Sequence, residues 1–532
     1  MSGSRDTTMT VGVPIAAEEE QGLLAQAQPI GGATAAQGND AGGAWAGPGG
    51  EQRTSGAASP HAFVAPFSPS KQHQPTKREQ YTRYWMAYAY FGLIFINGAL
   101  LVITSLSMSS FAKMLDKEVS AMSNLWIAKA IGTTLGSLVS SGLYKHNTSQ
   151  YIHSFMALTT LSISSALIAI PMSVVRINMF SLSFFYGLIG LCVSINDVGV
   201  CVHSRKMHGD YAGMWLSCNT IFFGIGCEYV AGMQYFITDQ TVFWTTGAIG
   251  YVVAVAVAIA AYLPSPEPLI LSEPLSKASE SQRMRKSSPP LQPRWFGGLT
   301  VKMPEYMAQS CPTCLRDLFP YYFETLFGCA LFCVFGCKVA ASAYLGPYLI
   351  QQLDYDPDSD MKFYYTYEFL ILLIWTAALF ARILGVMDQI TVKPFKRVGP
   401  IINRATISMI LSCFAVFLLD CNVHSFKLFW TAIIGYFFVA GPTLGYTYDA
   451  NHRITVPNPT GTAILKFGFG IGASVVPFTT AKLWDYHGPG AFRAVLLACA
   501  IIPCCIYQVV RRDVELLDRD AAKGTWRFLT CL

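Results

Sequence analysis

Tyr186-Gly-Leu-Ile-Gly-Leu-Cys-Val-Ser-Ile-Asn-Asp-Val-Gly-Val200 is an apolar run with spaced glycines and one carboxylate, Asp197, late in its course. A charge on such a helix costs about 2.5–3.5 kcal/mol in lipid on insertion scales. A chain that keeps the charge must give it a wet or paired place inside a bundle. The stretch therefore reads as a membrane span facing a shared cavity. Composition agrees: the 532 residues are 52% hydrophobic and 13% charged, where soluble domains carry about 25% charged residues. Mean hydropathy is +0.38, which points to many spans rather than one soluble core. The net charge of +5 is too small for a nucleic-acid partner, and the basic residues fall between apolar segments. The 15 cysteines are scattered, many inside apolar runs, and read as small buried hydrophobes. Cys311-Pro-Thr-Cys314 is half a zinc site at most and reads as coincidence.

Outward from that stretch the chain divides cleanly. Residues 1–80 are rich in Gly, Ala, Ser, Gln and Pro and read as a disordered cytosolic tail. No apolar segment there forms a cleavable signal peptide. Twelve apolar segments follow, six in residues 84–263 and six in residues 318–510. They start near Tyr84, Ser123, Ile152, Asn178, Gly213 and Thr241, then near Leu318, Lys362, Pro400, Phe426, Gly461 and Ala491. Residues 264–317 form a polar central loop and 511–532 a C-terminal tail. Most basic residues near span ends, among them Lys77, Arg78, Lys145, Arg205, Lys206, Arg397 and Arg453, fall on the side of the N-terminus. The positive-inside rule then predicts both termini and both polar segments in the cytosol. The sequon Asn147-Thr-Ser149 would face the cytosol and stay unmodified.

The ionisable residues inside apolar spans carry the chemistry, because membrane charges mark binding sites and ion paths. Asp197 and its neighbour Asn196 lie in the fourth span, Glu228 and Asn219 in the fifth, Lys338 and Tyr344 in the seventh, and Lys466 in the eleventh. These are the candidates for binding a solute or a cation. Alternative duties exist for each: Asp197 could pair with Arg205 or Lys206 near the span end. Lys129, Arg382, Asp388 and Asp449 are candidates for gating, with Lys129 on the outer side of the second span, where it could snorkel. His203 reads as a loop-edge histidine. Asn97, Thr104 and Ser105 add polar groups to the first span, and Trp375, Tyr348 and Tyr446 add aromatic ones to the second set. Gly132-x-x-x-Gly136, Gly224-x-Gly226 and Gly468-x-Gly470-x-Gly472 mark close helix contacts. No GxSxG, HExxH or P-loop is present, so no enzyme and no cofactor is expected.

Six spans, a long loop and six more match the two-halves plan of the major facilitator superfamily. The motifs are similar to that superfamily, and in particular to its sodium-dependent glucose transporter and fucose permease branch. Ile127-Ala-Lys-Ala-Ile-Gly-Thr-Thr-Leu-Gly-Ser-Leu138 resembles that branch's second span, Asn196-Asp-Val-Gly199 its fourth, Arg382-Ile-Leu-Gly385 with Lys393-Pro394 its eighth-to-ninth connection, and Gly441-Pro-Thr443 through Asp449 its tenth. The resemblance implies an all-α bundle of twelve transmembrane helices in two halves, transporting a small polar solute by alternating access. It favours a sugar-like solute, symported with sodium or protons through Asp197. Two departures weigh against a direct transfer: Lys145-His146 stands where an aspartate latch is usual, and Lys338 stands where the branch often has an acid. A base at Lys338 or Lys466 leaves open a small organic anion or amino acid. A non-transporting sensor or scaffold with the same fold is the alternative of another class. Glu18-Glu-Glu-Gln-Gly-Leu-Leu24 resembles an acidic dileucine signal. Its Glu19, Leu23 and Leu24 would meet adaptor proteins, placing the chain in an endosomal or lysosomal membrane; the plasma membrane is the alternative.

Overall fold

The computed structural model describes residues 77–117, 119–146, 149–174, 178–209, 212–264, 321–353, 361–391, 398–421, 426–455 and 458–523. The dileucine stretch, the CxxC pair, the central loop and Asn147 lie outside the described residues. What is described is helical. A first set comprises α1 (Lys77–Leu106), the short α2 (Met108–Met114) and α3 (Val119–Met122), then α4 (Asn124–His146), α5 (Ser149–Val174), α6 (Met179–His208), α7 (Ala212–Phe236) and α8 (Asp239–Tyr262). A second set comprises α9 (Tyr322–Leu353), α10 (Met361–Thr391), α11 (Gly399–Cys421), α12 (Phe426–Ala440), α13 (Thr443–Ile454), α14 (Pro459–His487) and α15 (Gly490–Lys523).

The long helices begin within a few residues of the predicted starts, because the sequence caps them. Asn178 accepts from the Ser181 N–H at 3.2 Å ahead of α6. Asn458 accepts from the Thr460 N–H at 2.9 Å ahead of α14, with Pro459 in the first turn. Gly488, at φ +73°, ends α14 in the left-handed region. Ten helical stretches among the described residues are long and apolar enough to cross a membrane, counting α12 and α13 as one. α4 and α7 do not reach that apolarity, although their 23 and 25 residues would span about 35 Å. These two carry Lys129 and Glu228, and both pack inside the bundle, α4 on α6 and α14, α7 on α1, α10 and α13.

One departure from the sequence reading is the tenth span. Expected as one run from Phe426, it breaks between α12 and α13 at Gly441-Pro442. Proline cannot continue the ladder of amide donors, and only glycine fits at 441, because a Cβ there would lie 2.8 Å from the Ala378 carbonyl oxygen. The small-residue motifs sit where helices touch backbone to backbone. A Cβ on Gly98 or Gly226 would collide with the opposite chain of the α1–α7 pair, and one on Gly468 or Gly472 with α9. Gly132, Gly136 and Gly190 do the same between α4 and α6.

Candidate solute site

The end of the bundle where α1 begins and α6 finishes is here the lower end. Arg83 ties it together within the first set by donating from Nη1 to the Met207 carbonyl at 2.9 Å. Side chains of Arg205 and Ser141 bridge the sets there. Arg205 donates from Nη2 to the Thr455 carbonyl at 2.6 Å, and Ser141 meets Thr460 at 3.0 Å.

Asp197 lies above that closure, buried on α6. Asn97 of α1 donates from Nδ2 to its Oδ1 at 2.7 Å. Lys466 of α14 places Nζ 3.8 Å from its Oδ2. Asp197 therefore pairs across the two sets and not with Arg205 or Lys206, the local partners the sequence offered. Lys466 also lies over two rings, Tyr448 at 4.6 Å and Phe469 at 5.3 Å. Phe469 packs on Phe335 of α9 at 4.0 Å and Phe223 of α7 at 5.8 Å between centroids. Each of the three phenylalanines carries one buried cation: Lys466 on Phe469, Lys338 on Phe335 at 5.9 Å, and Arg382 on Phe223 at 5.3 Å.

Two cavities lie one above the other, and both are lined by Asp197, Lys466, Phe223 and Phe469. The lower reaches Asn219, Leu444 and Tyr448; the upper reaches Asn97, Lys129 and Thr133. Their volumes, about 10 and 30 Å³, are room for roughly a water or two. The ion pair and its rings therefore form a plug between two pockets.

The remaining predicted residues sort by direction. Lys129 is buried, lines the upper cavity and lies 5.4 Å over Trp126, so it does not snorkel outward. Asn219 lines the lower cavity, and its Nδ2 finds no acceptor among the described residues. Asn196 turns the other way. Its amide accepts from Thr159 at 2.6 Å and donates to Thr160 at 3.0 Å, both on α5. Glu228 accepts from Thr376 of α10 and lines neither cavity. Tyr344 packs on Trp484, also away from the plug. Lys338 donates from Nζ to the Ala440 carbonyl at 3.0 Å, the last residue of α12. It thus satisfies a carbonyl freed by the break and lies at the negative end of that half-helix.

Arg382, placed among the gating residues, is 1% exposed and donates from Nη1 to the Thr220 carbonyl at 3.3 Å. Gly224 makes its room: a Cβ there would fall 2.8 Å from Nη1. Asp388 pairs with Arg404, and Asp449 takes Arg453 Nε at 2.9 Å. His203 is not at a loop edge: it is buried 5.1 Å from the His153 ring. The sequence reading missed Phe223, Phe335, Phe469 and Tyr448, which no spacing singles out among 34 phenylalanines and 26 tyrosines. It also missed the bridging role of Arg205.

No family model matches the chain, and no curated protein matches it in sequence. Among solved structures it is similar to the crystal structure of the human organic anion transporter MFSD10 (TETRAN), with a TM-score of 0.51, 13% identity, and coverage of 81% of this chain and 100% of that one. At that identity the likeness concerns the fold alone. The fold is an all-helical, multi-pass membrane bundle of the major facilitator type.

Proposed function

We propose that the protein is a transporter that moves a small polar solute by alternating access, with the Asp197–Lys466 pair as the plug that parts and reforms. The observation that carries this reading is the pair itself: it joins α6 to α14 across the two sets and divides an upper from a lower cavity. A buried pair of this kind is costly to keep, since matched apolar residues are often neutral or stabilising in its place. A scaffold has no need of that cost. A carrier does, because a charged solute or a proton can take one partner's place.

For the solute, the buried charges favour an organic anion over a sugar. Lys129 lines the upper cavity, and Lys338 and Arg382 lie over the rings that pack on Phe469, so three buried bases stand near a pair that is itself neutral. A sugar has no use for that surplus. Against a sodium site at Asp197 stands the lysine already paired with it. A proton is compatible: neutralising Asp197 would release Lys466 to an incoming anion. By the distribution of basic residues the lower end is cytosolic.

Uptake into proteoliposomes, with sugars, amino acids and small organic anions under imposed proton or sodium gradients, tests the reading. Anion uptake is expected, reduced by at least tenfold in Asp197→Asn. Uptake of neutral sugars alone would remove the anion assignment. Flux and gradient dependence unchanged in Asp197→Asn would remove the plug.

A further inference from the structure

We infer that Arg382 is the residue that recognises the solute, and that the solute is a small monocarboxylate. This rests on the transporter reading above. It reassigns Arg382 from gating to binding.

The argument begins with the guanidinium. Its Nη1 is anchored on the Thr220 carbonyl. Nε and Nη2, the two parallel donors along its other edge, are buried and find no acceptor among the described residues. The Cys227 thiol is a neighbour of the guanidinium, and a thiol is a weak acceptor. A buried donor without an acceptor costs about 1–3 kcal/mol, and more when charged. Two such donors on one rigid edge match the two oxygens of a carboxylate, which arginine binds in a bidentate fork. A lysine at this place would offer a point charge without that geometry.

The surroundings limit what the rest of the solute can be. Arg382 lies over the Phe223 ring with Lys338 as a charged neighbour, and Phe223 itself walls both cavities. The lower cavity adds the orphaned Asn219 amide donor. Its walls are mixed: Ile94, Leu216, Leu444 and Phe469 are apolar, while Thr220, Tyr448 and the Asp197–Lys466 pair are polar or charged. A single anionic head therefore meets donors, and the rest of a small solute meets both apolar and polar side chains. Among the described residues, two orphaned groups that can accept lie in the region: the Tyr448 hydroxyl on the lower cavity and Asn97 Oδ1 on the upper one. Arg382 lines neither cavity, so on this inference the solute reaches the guanidinium edge only when the Phe223 ring turns aside. That movement comes with parting of the plug, because Phe223 and Phe469 pack on each other.

The test uses the purified full chain in lipid nanodiscs, with benzoate and butyrate as probes and benzamide and butyramide as neutral isosteres. Thermal unfolding should shift upward with the carboxylates and not with the amides. Arg382→Gln should abolish the shift, Arg382→Lys should keep a weaker one with at least tenfold lower affinity, and added guanidinium ion should restore binding to Arg382→Ala. Circular dichroism confirms that each variant folds. Equal shifts with acids and amides, no shift with either, or full carboxylate affinity in Arg382→Gln would each overturn the inference. Carboxylate transport that persists in Arg382→Gln would overturn it while leaving the transporter reading intact. Absence of any transport across the wider panel would remove that reading instead.

Discussion

The fourth span of each set makes an instructive pair. In the first set it is α6, 30 unbroken residues that carry a side-chain charge, Asp197, to the middle of the bundle. In the second it is α12 and α13, 15 and 12 residues parted at Gly441-Pro442, which bring a backbone carbonyl to the interior instead. Each negative group meets a lysine: Lys466 for Asp197, Lys338 for the Ala440 carbonyl. The first lysine comes from the opposite set and the second from the same one. An ion pair across the sets can part when they move. A helix cap within one set travels with it. The difference thus separates a contact suited to switching from one suited to holding shape.

Breaking each contact should expose that difference. The largest effect is expected from Lys466→Met, which leaves Asp197 buried and unneutralised and should cost about 3–5 kcal/mol in thermal unfolding. The double variant with Asp197→Asn should recover most of that loss. Additive losses in the two variants would mean that the lysine and the aspartate do not act as a pair. Lys338→Met should cost less, about 1–3 kcal/mol, for one carbonyl left without its donor. Its amide exchange should rise near residues 438–441 and stay unchanged in α6; a rise spread evenly over both spans would erase the contrast. Smallest, and opposite in sign, are Gly142→Ala and Gly435→Ala. Neither glycine has an atom within 4 Å of an added Cβ, so alanine should stabilise each helix by about 0.5–1 kcal/mol. A loss at either site would reveal a close contact there.

Much of this was legible in the residues. The span starts followed from apolar runs, and Asp197 stood out because a charge in such a run must be accommodated. Its partner did not stand out. Lys466 lies 269 positions away, and only the packing of α14 against α6 and α4 brings it near. Asn196 was a candidate beside Asp197. One residue along a helix is a turn of about 100°, which sends Asn196 to α5 and Asp197 to the plug. Lys129 read as snorkelling because it begins a span on the outer side, yet the glycine-spaced contact of α4 with α6 and the cover of α14 hold it inside. The Gly441-Pro442 break was visible as a proline turn, but its meaning needed Lys338, a hundred residues earlier.

The plug has one more consequence, for the membrane rather than the solute. Each elementary charge that crosses a bilayer dissipates about 2.3 kcal/mol per 100 mV. The upper and lower cavities share the Asp197–Lys466 pair and two phenyl rings as their common wall. Each cavity has room for roughly a water or two, and protons travel quickly only along continuous files of water. In the proposed cycle, a closed pair would therefore block proton leak between the cavities and leave the membrane charged.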